Sequence, residues 1–135
     1  MHLVQVPPQA VAAVWPRIER YLQSAIDRSH GTHTMDTTKR DAEAGQRQLW
    51  VVITDDKDIT AAGVTSLQSF PSGRLMLQIE VFGGDNMKAF FDLKSELEKW
   101  AKDEGCTAVC LWARKGWAKH LHDYQVTNYL MHKEI

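Results

Sequence analysis

The chain has 135 residues, 44 % hydrophobic and 24 % charged, with 16 basic and 17 acidic side chains and a net charge of -1. That is the size of one ordinary domain, able to bury roughly two thirds of its unfolded surface, and its composition disfavours disorder, collagen-like repeats and a disulfide scaffold. The balanced charge lacks the broad positive field of a general nucleic-acid binder, and the longest apolar run, Ala10 to Trp15, is too short for a membrane helix. From Met1 to Pro7-Pro8 there is neither a basic region nor an apolar signal core, so no cleaved secretion signal is expected. Only Cys106 and Cys110 carry thiols. Four apart along a strand they are too distant to bridge each other, and a reducing, cytoplasmic location is expected.

Leu3 to Val6 reads as a short strand closed by Pro7-Pro8. Val11, Val14, Trp15, Ile18, Tyr21, Leu22, Ala25 and Ile26 then recur at helical spacing, which predicts a helix to about Arg28. Pro16 inside it predicts a kink or a second helical piece. Ser29 to Met35 reads as a loop, followed by a helix capped by Asp36 or Thr37 and stopped at Gly45. Leu49–Ile53, Ile59–Phe70 and Arg74–Phe82 are three extended runs joined by short polar turns, the pattern of an antiparallel meander. Simple alternation puts Leu75, Leu77, Ile79 and Val81 on one face of the third run, and Met76, Gln78, Glu80 and Phe82 on the other.

After Gly83-Gly84-Asp85-Asn86 comes the strongest helical pattern, with Met87, Phe90, Leu93, Leu97, Trp100 and Ala101 on one side and Gly105 as its stop. Thr107 to Ala113 is an apolar strand, as expected of one covered on both faces. Gly116 to His122 suggests a short helix, and Val126 to Lys133 a final strand. There is no repeat, linker or low-complexity segment, and residues 1–135 read as a single domain.

This order of elements, with Val14-Trp15-Pro16, Gln48-Leu49-Trp50-Val51-Val52, Gly83-Gly84, Glu104-Gly105-Cys106 and Arg114-Lys115-Gly116-Trp117, resembles the GNAT (GCN5-related N-acetyltransferase) superfamily over essentially the whole chain. More narrowly it is similar to the small GNAT-like proteins of tailed bacteriophages. The resemblance implies an α/β (α+β) fold with a mixed, mostly antiparallel sheet of about six to seven strands and helices on both faces. It also implies acetyl-coenzyme A in an opening between the fourth and fifth strands, with its pyrophosphate at the mouth of the long helix. Unpaired N–H groups and the helix dipole favour anions at such a mouth.

On that reading Phe82, Gly83, Gly84, Asp85 and Asn86 form the cofactor loop, and Arg114 and Lys115 lie near the cofactor end of the opening. The loop lacks the usual Q/R-x-x-G-x-G/A spacing. A tight strand-to-helix turn with Asp85 or Asn86 as cap is the alternative. Glu80 stands where several relatives hold a general base, against the alternative of a carboxylate paired across the sheet. The usual tyrosine proton donor is missing, which leaves Lys119 or His120 near its position, with His120 able to donate a proton. His30 and His33 fall in the loop bordering the acceptor pocket, and their spacing does not complete a metal site. The implied partners are an acyl-coenzyme A and an amine acceptor. In a second class of reading, the domain has lost catalysis and serves as a phage virion or assembly component through protein contacts, with Trp117 a candidate anchor. No membrane partner and no nucleic-acid-binding motif are read from the sequence.

Overall fold

The computed structural model describes residues 1–135. In chain order the elements are β1 (His2–Val6), a 3₁₀ turn (Pro8–Ala10), α1 (Val11–Ile26), α2 (Met35–Glu43), β2 (Gln48–Ile53), β3 (Ile59–Ser69), β4 (Leu75–Gly84), α3 (Met87–Asp103), β5 (Ala108–Leu111) and a short 3₁₀ helix (Lys115–His120). The five strands form one sheet in the order β1-β2-β3-β4-β5. The first four are antiparallel neighbours, and β5 lies parallel to β4 across the helical crossover α3.

Each sheet face has its own core. The α1 and α2 side packs Trp15, Ile18 and Leu22 of α1 against Leu49, Val51, Val64 and Val81 of the strands. The α3 side packs Phe90, Leu97 and Ala101 against Leu3, Val52, Leu77 and Phe82. No helix is long and apolar enough to cross a membrane.

Four expectations need correction. The sheet has five strands rather than six or seven, because Val126 to Lys133 forms no strand and its apolar side chains have no face to cover. Helix α1 runs through Pro16 as one element and not as two helical pieces; a proline there removes one helical N–H, and the buried face of Trp15, Ile18 and Leu22 holds the turns on either side. The cap of α2 is Thr34, whose side chain accepts from Thr37 N–H, so the helix starts at Met35. Finally, the alternation in β4 breaks at Glu80. Val64 pairs with Val81 while its neighbour Thr65 pairs with Ile79, which leaves Glu80 as an extra, bulged residue. Val81 thereby joins the α1 core and Phe82 the α3 core, the reverse of strict alternation.

The glycines around the end of β4 are places of close approach. A Cβ on Gly63 would overlap the Phe82 ring, which lies there and stacks on Phe90 with centroids 4.0 Å apart. A Cβ on Gly83 would stand 2.4 Å from the backbone oxygen of Tyr21 in α1. That backbone cannot rotate away, so Gly83→Ala is expected to cost about 1–3 kcal/mol in urea denaturation. A wild-type midpoint would contradict this packing of α1 on β4.

Candidate active site

The bulge marks the place where the sheet forks. Pairing between β4 and β5 ends at Ile79 and Leu111, yet β4 continues to Gly84 on β3 alone. From Glu80 onward the outer edge of β4 has no strand beside it. Beside this fork lies a cavity of about 270 Å³, walled by the α1–α2 loop, the first turns of α2, Arg47 ahead of β2, and Gln78 and Glu80 of β4. Val64 and Trp112 are its only apolar walls, and Trp112 follows β5 with 62 % of its surface exposed.

Glu80 is the centre of the polar lining, with only 8 % of its side chain exposed. Oε1 lies 2.9 Å from His33 Nε2, and Oε2 lies 2.6 Å from Arg47 Nε. The ion pair with Arg47 is the contact of Oε2, which is buried and makes no further hydrogen bond. Burial alone would raise the carboxyl's pKa, but the His33 hydrogen bond, the Ser66 hydroxyl and the Arg47 charge outweigh it and hold it below the ordinary value.

His33 is fixed in turn. Thr32 Oγ1 donates to the Ser29 carbonyl at 2.7 Å, so at the 2.8 Å contact with His33 Nδ1 the ring is the donor. The other ring nitrogen faces the Glu80 carboxylate, so both ring nitrogens have a partner. His30, three residues earlier, takes a positive φ of 56° and its ring packs on His132, with centroids 4.9 Å apart.

The expected cofactor loop is built differently from the usual pattern. Phe82 is core, and Gly83 and Gly84 are crowded by α1 and β3. Asn86 caps α3 by accepting from Ala89 N–H at 3.2 Å. Asp85 N–H is bonded to the Thr60 carbonyl at 2.9 Å. The Asp85 carboxylate accepts from Tyr21 Oη at 3.1 Å and lies 3.4 Å from Arg20, so its charge has a partner on α1. The amides of the first turn of α3 after the cap have no helical acceptor, as in any helix. With the unpaired β4 edge, they are the groups here that fit a phosphate-bearing acyl-coenzyme A.

The remaining candidates stand apart from Glu80. His120 stacks on Phe91 of α3 at 4.8 Å, and Trp117 meets the same ring edge-on at 5.6 Å. Arg114 and Lys115 are exposed, Arg114 with its guanidinium carbon 5.6 Å from the centre of the Trp117 ring. Tyr124 donates to Glu98 Oε2 at 2.6 Å; burial and that carboxylate raise its pKa beyond the ordinary phenol value. Both cysteines are free, and burial pushes their thiols up, away from thiolate chemistry. Reading the sequence singled out Glu80 and His33 separately and missed Arg47, Asp41 and Trp112. Gln48 lies opposite Thr65 and Thr65 opposite Ile79, so Arg47, just ahead of β2, falls in the row of Ser66 and Gln78, next to the bulge; that register is set by the fold and left no local mark in the sequence.

No family model and no curated protein sequence matches the chain. Solved structures do. A probable acetyltransferase superposes with a TM-score of 0.71 at 9 % identity, covering 100 % of this chain and 99 % of that one. An aminoglycoside acetyltransferase from an uncultured soil metagenomic sample, in complex with trehalose, gives 0.68 at 9 % identity, with 98 % and 95 % covered. Glucosamine-6-phosphate N-acetyltransferase from Arabidopsis thaliana gives 0.64 at 13 %, with 98 % and 96 % covered. The fold is therefore that of the GNAT acetyltransferases.

The Glu80 environment makes an acid-sensitive contribution to stability. Its folded carboxyl is held below the unfolded value, so the contribution is complete above the unfolded pKa and is lost as pH falls through the folded one. Wild type and Glu80→Gln should differ most in unfolding free energy near neutral pH and converge on acidification through the carboxylate range. A gap that widens toward acid would contradict the arrangement.

Proposed function

We propose that the protein is an acyl-coenzyme A-dependent N-acyltransferase whose acceptor amine enters the cavity at Glu80. The observation that carries this reading is the coincidence of three features at one residue: the bulge, the end of β4–β5 pairing, and a buried carboxylate with one oxygen free of hydrogen bonds. The acetyltransferase folds that superpose on the chain support the same class.

In this mechanism the acyl-coenzyme A supplies the activated thioester carbonyl. The neutral amine attacks that carbon, the C–N bond forms, the C–S bond breaks and the thiolate leaves. The proton shed by the nitrogen passes to Glu80 Oε2. A carboxylate held below its ordinary pKa is a weak base toward a free ammonium. Glu80 therefore binds and orients the amine first, and accepts its proton only as bond formation makes the nitrogen acidic. We assign the proton taken up by the thiolate to His120, with solvent as the other source. Gly83 to Asn86 along the unpaired β4 edge, with Arg114 and Lys115, are the proposed cofactor contacts, with the α3 amides meeting the phosphates; His33 borders the acceptor, whereas Phe82 is core and His30 lies outside the cavity lining. A cytoplasmic location belongs to the same proposal.

A second reading keeps the fold without turnover, as a component of a tailed-phage particle working through protein contacts. Its support is the close packing of Gly83 and Gly84, together with exposed Val126, Tyr129, Leu130 and Met131.

Calorimetry with acetyl-coenzyme A, followed by an acetyl-transfer assay over an amine panel, separates the two. The first reading expects saturable binding and turnover, with Glu80→Gln slowing transfer by about 100- to 10,000-fold. Because Glu80 is already ionised, its rate should rise through neutral pH with the free-amine fraction. Absence of binding at millimolar acetyl-coenzyme A would remove the enzyme reading.

A further inference from the structure

The residues after Tyr124 belong to no helix or strand, and two points of contact fix where they run. At the near end Leu121 is buried, Lys94 of α3 holds the Asp123 carboxylate at 3.0 Å, and Tyr124 Oη donates to Glu98 of α3 at 2.6 Å. The Tyr124 hydroxyl also lies within electrostatic reach of Cys110, near the end of β5. At the far end the His132 ring packs on His30 of the α1–α2 loop, with centroids 4.9 Å apart. No backbone hydrogen bond involves residues 125–135. Val126, Tyr129, Leu130 and Met131 are between 61 % and 87 % exposed.

The two points lie on opposite faces of the sheet, since α3 packs on one core and α1 and α2 on the other. Packed layers stand roughly 10 Å apart, so passing from one outer layer to the other takes roughly 20 Å. From Tyr124 to His132 the chain can span at most about 26–29 Å when fully extended. Little slack remains, so the segment takes the direct route on the β5 side of the sheet. Both ends also sit at one level. Cys110 is opposite Gln78, and the loop that carries His30 delivers His33 to Glu80. That level is the root of the fork, above which the outer edge of β4 runs on alone to Gly84. The segment thus bars the open side of the fork. Its far contact is held by unusual backbone: His30 takes a left-handed φ of 56°, uncommon without glycine, beside Gly31 at 79°. Backbone of this kind clusters at ligand clamps and switch regions.

We propose that residues 125–132 form a strap that lifts from His30 to admit the acyl donor to the fork and latches over it again, an inference that rests on the acyl-transfer reading above. Lifting is cheap, because the His30–His132 contact breaks and no backbone hydrogen bond does. Once latched, Tyr129, Leu130 and Met131 give the donor's thioester and pantetheine arm an apolar cover. Water kept from the thioester cannot hydrolyse it, so the acyl group goes to the amine.

The test uses the full chain carrying Cys106→Ala, Cys110→Ala, His30→Cys and His132→Cys, checked for folding by circular dichroism, and a short bis-maleimide that reductant cleaves. Linked before acetyl-coenzyme A is added, the protein is expected to bind none in calorimetry and to regain binding on cleavage. Linked afterwards, it is expected to carry acetyl-coenzyme A through gel filtration and release it on cleavage. Without any linker, His132→Ala alone should release acetyl-coenzyme A about tenfold faster than wild type. Three results overturn the strap and leave acyl transfer standing: a folded protein that the reagent does not link, equal binding in the linked and cleaved states, or a wild-type release rate in His132→Ala. Wild-type protein that binds no acetyl-coenzyme A is a different failure, which removes the transferase reading and the strap with it.

Discussion

An extra residue in β4 organises much of what lies around it. Placing Glu80 outside the ladder swaps the faces of Val81 and Phe82, sending one into the α1 core and the other under α3. The swap lets Phe82 fill the space over Gly63 and stack on Phe90. The same kink coincides with the loss of β5 as a partner and with the presentation of the carboxylate to the α1–α2 loop. A bulge aims a side chain that a regular strand would commit to the sheet face. Fold and candidate site are thus two consequences of one irregularity.

The electrostatics follow from that placement. A carboxylate with so little of its side chain exposed needs compensation, which arrives from two distant segments, His33 from the α1–α2 loop and Arg47 ahead of β2. Compensation keeps Glu80 ionised, which suits it to hold a cation and makes it a modest base. Any proton transfer it performs must wait for the reacting nitrogen to become acidic. The binding role and the chemical role are therefore ordered in time, with recognition first.

Much of the scaffold was legible in the sequence because burial writes periods. The 3.6-residue spacing from Val11 to Ile26 and from Met87 to Ala101 marked two helices, and the polar turns at Asp55–Asp58 and Pro71–Gly73 marked the meander. The bulge left no such trace: Leu75, Leu77, Ile79 and Val81 alternate without a flaw, and only the cores on each side reveal the slip. Val126 to Lys133 looked like a strand on residue type alone, and residue type does not supply a surface to pack against. At the site, Glu80 and His33 were legible as chemistry-bearing residues, but their contact spans 47 positions and depends on where the loop lands. Asn86 was legible as a cap, and it caps α3.

Backbone hydrogen exchange with and without acetyl-coenzyme A tests the central claim most directly, because it reads the forked edge itself. Slowed exchange confined to the end of β4 and the first turn of α3, saturating with ligand, is the result this account predicts. Exchange unchanged across those amides at millimolar ligand, in a protein whose sheet is otherwise protected, would contradict it.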